Sequence, residues 1–296
     1  MPKTFSKIAI IGAGRVGTAL AFALGKTGRR VVFVANNTAH STRRSAKVLK
    51  SREHSVHISN IPVDTDLIII ASPAQAIPKI VRELSINRTM DFQGVFVIHT
   101  SGVHSSRLLE SLKRKGAKIA AIHPIQTFPA VRKPNDSVSS MKGIYYGIDA
   151  PRNDLRTAKS LVSLLGGEFV IIPERLRPLY HALCVFSSGY VVQLLGHIEE
   201  ISAQFNFTEH WYAILGPLLK TSIHNSIKTS PASALTGPIM RGDLATVKLH
   251  LQSLKRYAPP AVSAYKILGA DMARGAFRKK SINRTTLNKL LKIFSV

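Results

Sequence analysis

The chain holds one cysteine in 296 residues, Cys184, set inside an apolar run. A single thiol excludes an internal disulfide and any cysteine-based metal cluster, and it suits a reducing compartment. Acidic residues are scarce: 16 Asp and Glu stand against 41 Lys and Arg, a formal charge of +25. The surplus is shared almost evenly by the two halves, so it is not a basic tail. Diffuse positive charge steers anionic ligands and favours nonspecific contact with nucleic acid, but lineage-wide basic composition is the plainer explanation. Aromatic residues make up 7% and no recognition-helix motif occurs, so no specific nucleic-acid partner is expected. Clusters such as "LKRKGAK" and "FRKK" read as solvated helix ends. No run of 18 apolar residues offers a membrane span, and "MPKTFSKIAIIGAG" lacks the long apolar stretch and small-residue cleavage site of a signal peptide. The expectation is a cytoplasmic protein without a membrane partner. No H-E-x-x-H, paired-cysteine or carboxylate cluster supports a metal, and no G-x-S-x-G or Ser/His/Asp pattern suggests a hydrolase.

What is present is an alternation. "KIAIIGA", "RVVFVA", "DLIIIAS", "GVFVIHTS" and "AKIAAIHP" are short continuous apolar runs. Parallel strands covered on both faces read this way, with helices between them. "GTALAFALGKTG" places Val16, Leu20, Ala23 and Leu24 at helical spacing, with Gly28 as a C-terminal cap. "GIYYGID" is a further strand, and "LRTAKSLVSLLGG" a helix leading into the strand "EFVIIP". After Pro178 everything reads as helix. "LYHALCVFSSGYVVQLLGHIEEISAQF" is apolar nearly all round and predicts one long central helix. Asp243 and the prolines of "PPAVSAYKILGADMARGAF" mark two later helix starts. The fold class expected is α/β: an N-terminal doubly wound domain over residues 1–173 with a mostly parallel sheet, then an all-α domain over 174–296.

Gly12-Ala13-Gly14-Arg15-Val16-Gly17 matches G-x-G-x-x-G between the first strand and first helix. Gly12 permits a tight turn, Gly14 lets the backbone approach a pyrophosphate, and Gly17 permits close helix packing; the helix start then offers free N–H groups to the phosphates. An acidic residue about 20 positions on would accept the ribose hydroxyl of NAD and repel a 2′-phosphate. Here that place is taken by Asn36 and Asn37, followed by Thr38, Ser41, Arg43 and Arg44. Uncharged donors and a guanidinium suit a phosphate, so NADP is the expected cofactor. Solvated residues of a helix start are the alternative reading of Arg43 and Arg44.

Later motifs form a series: Ser72-Pro73 after the fourth run, "HTSG" from His99 to Gly102, "AIHPIQTF" from Ala121 to Phe128, "LYHALCVFSSGYV", and "ALTGPIMRGD" from Ala234 to Asp243. Together they resemble Rossmann-like oxidoreductases with a C-terminal domain of unknown function 2520. That group is similar to pyrroline-5-carboxylate reductases and to the 6-phosphogluconate and β-hydroxyacid dehydrogenase superfamily. The resemblance implies an NADP-dependent oxidoreductase that dimerises through its helical domains. It also implies a homodimer acting on a small anionic substrate. One departure is that the family often has Asn within the segment that reads Ser187-Ser188-Gly189-Tyr190 here.

Ser72, His99, Thr100, Ser101, Gly102 and His123 all follow strands, where an open α/β sheet binds its ligand. Ser101 and Gly102 are candidates to hold a substrate carboxylate, with Gln126, Thr236 and Arg241 as further substrate contacts. His123 and His181 are the candidate proton donors; a backbone-satisfied strand-end histidine and a packed helical histidine are the plainer readings of each. Leu179 to Leu219 contains no lysine, so only Lys220 could stand in for the lysine of the β-hydroxyacid dehydrogenases. Hydride transfer between NADPH and a small carboxylate-bearing carbonyl or imine compound follows, with ketopantoate reduction as a specific case by analogy. A protein that binds NADP as a sensor without turnover is the alternative.

Overall fold

The computed structural model describes residues 5–128, 141–205 and 210–295. It divides into two compact units, Met1–Ser188 and Gly189–Val296. The first unit is built on eight strands: β1 Lys7–Ile11, β2 Arg30–Ala35, β3 Glu53–His54, β4 Leu67–Ile70, β5 Phe96–His99, β6 Lys118–Pro124, β7 Tyr145–Asp149 and β8 Glu168–Ile171. They form one sheet in the order β3-β2-β1-β4-β5-β6-β7-β8. Every neighbouring pair is parallel except β6 and β7.

The continuous apolar runs follow from this sheet being covered twice. Side chains alternate across a strand, and here the alternation sorts them into two cores. Ile8, Ile10, Leu67, Ile69, Phe96 and Ile98 enter one, while Ala9, Ile11, Ile68, Ile70 and Val97 enter the other. The first core is closed by α1 (Arg15–Gly25) through Leu20 and Leu24 and by α5 (Leu155–Leu164) through Leu161 and Val162. The second is closed by α3 (Ile77–Ile86) through Val81 and Leu84 and by α4 (Glu110–Lys113) through Leu112. All four residues of β4 are 0% exposed; burying each such side chain contributes about 1.5–3 kcal/mol. Helices on both faces make the unit doubly wound. The strand order turns back between β1 and β4, so the crevice outside their carboxyl ends is where such sheets bind ligands.

The first unit continues beyond residue 173. A 3-10 turn, Glu174–Leu176, opens α6 (Arg177–Ser187), whose Pro178 fits the first helical turn. The single central helix expected from the sequence is not formed. The chain breaks at Ser188, with φ −131° and ψ −74°, and resumes as α7 (Gly189–Ser202). Ser187 and Ser188 both turn their hydroxyls back onto carbonyls four residues earlier, Leu183 and Cys184, a habit that bends helices. Nor is the stretch central, because Leu179, Leu183, Phe186, Val192 and Leu194 are exposed. By length and composition Glu174–Phe205 is apolar enough to cross a membrane, with mean hydropathy 1.3 over its best window and none of that window buried. Run length alone missed this, since the polar interruptions are too few to lower the average.

In the second unit, α11 (Leu244–Tyr257), α12 (Ala261–Arg278) and α13 (Arg284–Phe294) share a core of Val247, Leu251, Ala273, Leu290 and Phe294. Asp243 caps α11 by accepting from Thr246 N at 3.0 Å, as its place in the sequence suggests. Two short helices, α9 (Pro231–Ala234) and α10 (Pro238–Arg241), flank Thr236 and Gly237. The 18-residue α8 (Trp211–Lys228) buries none of its residues, and Tyr212, Ile214, Leu218, Ile223 and Ile227 stand exposed on it.

Candidate functional site

The glycine turn joins β1 to α1 where the sheet order reverses. Gly12 has φ +89°, a region closed to most side chains. An added Cβ there would lie 2.5 Å from Ser72 Oγ and 2.7 Å from Ser72 N. At Gly17 an added Cβ would strike the Gly12 carbonyl and sit 3.1 Å from Ala71 Cβ. Gly14 differs, for a Cβ there meets nothing within 4 Å. Two glycines are thus demanded by packing and the third by a vacancy over the helix start. Gly14 is also the N-cap of α1 and supplies no side-chain cap, so the N–H groups at Arg15, Val16 and Gly17 begin a helix whose positive dipole end is unopposed. An anionic pyrophosphate fits this cradle in shape and charge. Ser72 reaches toward Ile11 O at 3.4 Å and, with Pro73, closes the turn from the side of β4.

The loop after β2 is braced from within. Asn36 donates its amide to Ser41 O and to Ser45 Oγ, both at 3.1 Å. Thr38 caps α2 (Ala39–Leu49) by accepting from Ser41 N at 3.2 Å, while Ser41 Oγ donates to Thr38 O at 3.0 Å. Asn36 and Ser41 therefore spend their donors on loop shape. Asn37, Arg43 and Arg44 are exposed, and the first turn of α2 carries no acidic residue.

The carboxyl ends of β5 and β6 hold the titratable groups. His99 is fully buried, its Nε2 3.0 Å from Ser105 O and its Nδ1 accepting from Ser101 N at 3.3 Å. Burial brings its pKa down to about 4, against a weaker upward pull from Ser105. It is a structural imidazole that shapes the Ser101–Gly102 loop. Ser101 Oγ accepts from His104 N at 3.2 Å.

His123 stands at the end of β6, its Nδ1 2.7 Å from the hydroxyl of Tyr180. Its ring lies 6.0 Å from that of His181, nearly edge to face. Burial, the positive potential of His181 and then that of Arg177 hold the His123 pKa down at about 4. The imidazole is therefore neutral at physiological pH, not titrating near neutrality as its chemistry in the sequence suggests. A Cβ on Gly102 would collide with His181 Cδ2 and lie 3.1 Å from His123 Nε2, so both candidate histidines converge on the Ser101–Gly102 loop. His123, Gln126, Thr127, Tyr180, His181 and Cys184 line a cleft of about 400 Å³. The structure thus brings together Ser101, Gly102, His123 and His181. Thr236 and Arg241, both exposed, lie in the second unit.

Two residues escaped the sequence reading. Tyr180 immediately precedes His181, and Arg177 comes three residues before it, on the same helix face. Arg177 is the largest fully buried side chain among the described residues, with Nη2 donating to Ser101 O at 2.5 Å and no described partner for Nε or Nη1. A fully buried arginine has no signal in a single sequence, because arginine is rarely fully buried unless paired.

Sheet order and glycine turn together define a dinucleotide-type α/β protein. Residues 2–124 match the model of a Rossmann-like domain, and residues 144–272 match the domain of unknown function DUF2520. The chain therefore carries a Rossmann-like domain followed by a DUF2520 domain, and the latter begins at β7, within the sheet. No curated protein matches the chain. Among solved structures, it resembles a Bacteroides fragilis protein described as an NADP oxidoreductase, at 22% identity and TM-score 0.77, over 91% of this chain and 98% of that one. An imine reductase from Myxococcus stipitatus in complex with NADP+ aligns at 12% identity and TM-score 0.64, over 97% and 99%. A pyrroline-5-carboxylate reductase from Coxiella burnetii aligns at 16% and 0.56, over 99% and 100%. These likenesses establish a shared fold.

Proposed function

We propose that the protein is an NADP-dependent oxidoreductase that reduces a small carboxylate-bearing carbonyl or imine compound. One observation carries the reading: the open cradle at Gly14 and the His123–Tyr180 pair lie on the carboxyl edge of one sheet. The matching folds of an NADP oxidoreductase and an imine reductase bound to NADP+ support it. NADPH supplies the hydride when bound. The Gly12–Gly17 turn and the start of α1 would hold its pyrophosphate. Asn36 and Ser41 would shape the loop that Asn37 and Arg43 present to the 2′-phosphate. Ser101 and Gly102 would orient the substrate carboxylate, with Gln126 as a further contact. His123 would hand over the proton, and His181 would wall the cleft beside it. Following NADPH oxidation across 2-oxo acids, including ketopantoate, and cyclic imines tests the reading; no turnover with any of them, despite bound NADPH, would leave a sensor.

Cofactor choice tests the loop after β2. NADPH is expected to bind more tightly than NADH, and Arg43→Ala to lose about 1.5–3 kcal/mol for NADPH alone, the scale of a charge-assisted hydrogen bond. Equal affinities in a fluorescence titration would count against a 2′-phosphate site.

The exposed apolar faces of α7 and α8 support a two-fold homodimer as the working form. Monomers rarely leave so many large apolar side chains of two helices exposed. Light scattering at micromolar concentration is expected to give twice the chain mass, and a fully active monomer would refute the assembly.

A further inference from the structure

The short bond between His123 and Tyr180 has a built-in approach. β6 and β7 run antiparallel with His123 directly opposite Gly147. A Cβ on Gly147 would collide with the Tyr180 hydroxyl. Glycine at that one position of β7 opens the slot through which a ring from α6 reaches the imidazole. On the other side of the ring, Nε2 faces the Gly102 backbone. One nitrogen thus meets a phenol and the other meets the loop assigned to the substrate.

We infer that Tyr180 and His123 form a two-membered proton relay, in which the tyrosine hydroxyl donates to Nδ1 while Nε2–H delivers the proton to the newly reduced substrate. The inference rests on the reductase reading. The hydride carries two electrons from the nicotinamide to the carbonyl or imine carbon, breaking the C=O or C=N π bond. The oxygen or nitrogen takes the proton from Nε2, Nδ1 takes the tyrosine proton, and the imidazole ends neutral as the other tautomer. After product leaves, Nε2 takes a proton from water in the cleft while Nδ1 returns its own to the transient tyrosinate, which restores the starting tautomer.

The surroundings select this route over a histidinium donor. Burial, His181 and Arg177 all oppose a charged imidazole, so an acid that must first become a cation is scarce at neutral pH. A relay never needs it. Arg177, one turn before Tyr180, acts in the opposite sense on the phenol. Its charge lowers the cost of tyrosinate, whereas burial raises it and keeps that species transient. Asp149 in turn favours the charged form of Arg177. Cys184, one turn after Tyr180, is the remaining titratable neighbour: burial pushes its thiol up, and its contact with the phenol, after burial, adds to the upward push on Tyr180 and keeps that hydroxyl protonated at rest. The same charge explains why a guanidinium with two unpartnered nitrogens is kept inside.

The direction of the bond is measurable without turnover. In protein labelled with ¹⁵N-histidine, His123 is expected to show the Nε2–H tautomer throughout about pH 5.5–8.5, and Tyr180→Phe and Gly147→Ala are each expected to abolish that preference. The reverse tautomer in the wild type, with Nδ1–H donated to the tyrosine oxygen, would overturn the relay. In turnover, Tyr180→Phe is expected to lower kcat about 10- to 100-fold with NADPH affinity unchanged. Added to His123→Asn it is expected to cost nothing more, because the two act as one unit. A Tyr180→Phe enzyme with wild-type kcat overturns the relay alone. Failure of NADPH to bind the wild type removes the reductase reading, and the relay with it.

Discussion

His123→Asn is expected to lower kcat by about 10²–10⁴ on whichever substrate the NADPH-oxidation screen identifies, the usual range for loss of a general acid. Asparagine keeps a comparable reach, and its amide can still accept from Tyr180 and donate toward Gly102. It cannot accept a proton at one end and release one at the other, which is the property the neutral imidazole contributes. NADPH affinity is expected to change little, because the proposed cofactor cradle, the glycine turn and the start of α1, uses backbone groups and not this ring. Normal turnover by the variant would make His123 structural and pass the role to His181.

Acid is expected to weaken the first unit steeply between about pH 6.5 and pH 4. His99 and His123 both have folded pKa values of about 4, against 6.5 for a free imidazole. Between those values the unfolded chain binds protons that the folded chain refuses, so stability falls as pH falls. Above pH 6.5 the contribution is whole. At 1.36 kcal/mol per unit, each histidine is worth up to about 3 kcal/mol across the window. The pair could remove a large part of an ordinary domain's stability. Thermal or urea unfolding followed from pH 7.5 to pH 4.5 should show midpoints dropping throughout the lower half of that range. Constant midpoints would mean the two rings are solvated.

The parts of the fold that could be read in the sequence are those where one physical rule acts alone. Continuous apolar runs such as Leu67–Ile70 announce strands covered on both faces, and the glycines at positions 12 and 17 announce the turn because nothing larger fits there, with Gly14 leaving the helix start open between them. Asp243 announces its helix by capping it. The site was less legible because its parts are distant in sequence. Nothing near His123 shows that residue 147 must be glycine, or that residue 180 supplies the hydroxyl; only the antiparallel register and the start of α6 bring them together. The histidine's charge state depended on burial, which the Pro124 that follows it does not reveal. The helix broken at Ser188 was missed because apolar composition says where side chains prefer to be, and α6 and α7 leave theirs outside.

The bond from Arg177 to the carbonyl of Ser101 has a mechanical side. It rivets α6 to the loop that follows β5, and the same helix carries Tyr180 against His123 three residues later. A shift of that helix would pull on the loop and carry the phenol with it, against an imidazole held in the sheet. Within the first unit, the distance between the group that would grip the substrate's carboxylate and the group that would protonate it is therefore set by a rivet and not by a hinge, and a ligand whose spacing does not match that gauge has no soft element here to stretch.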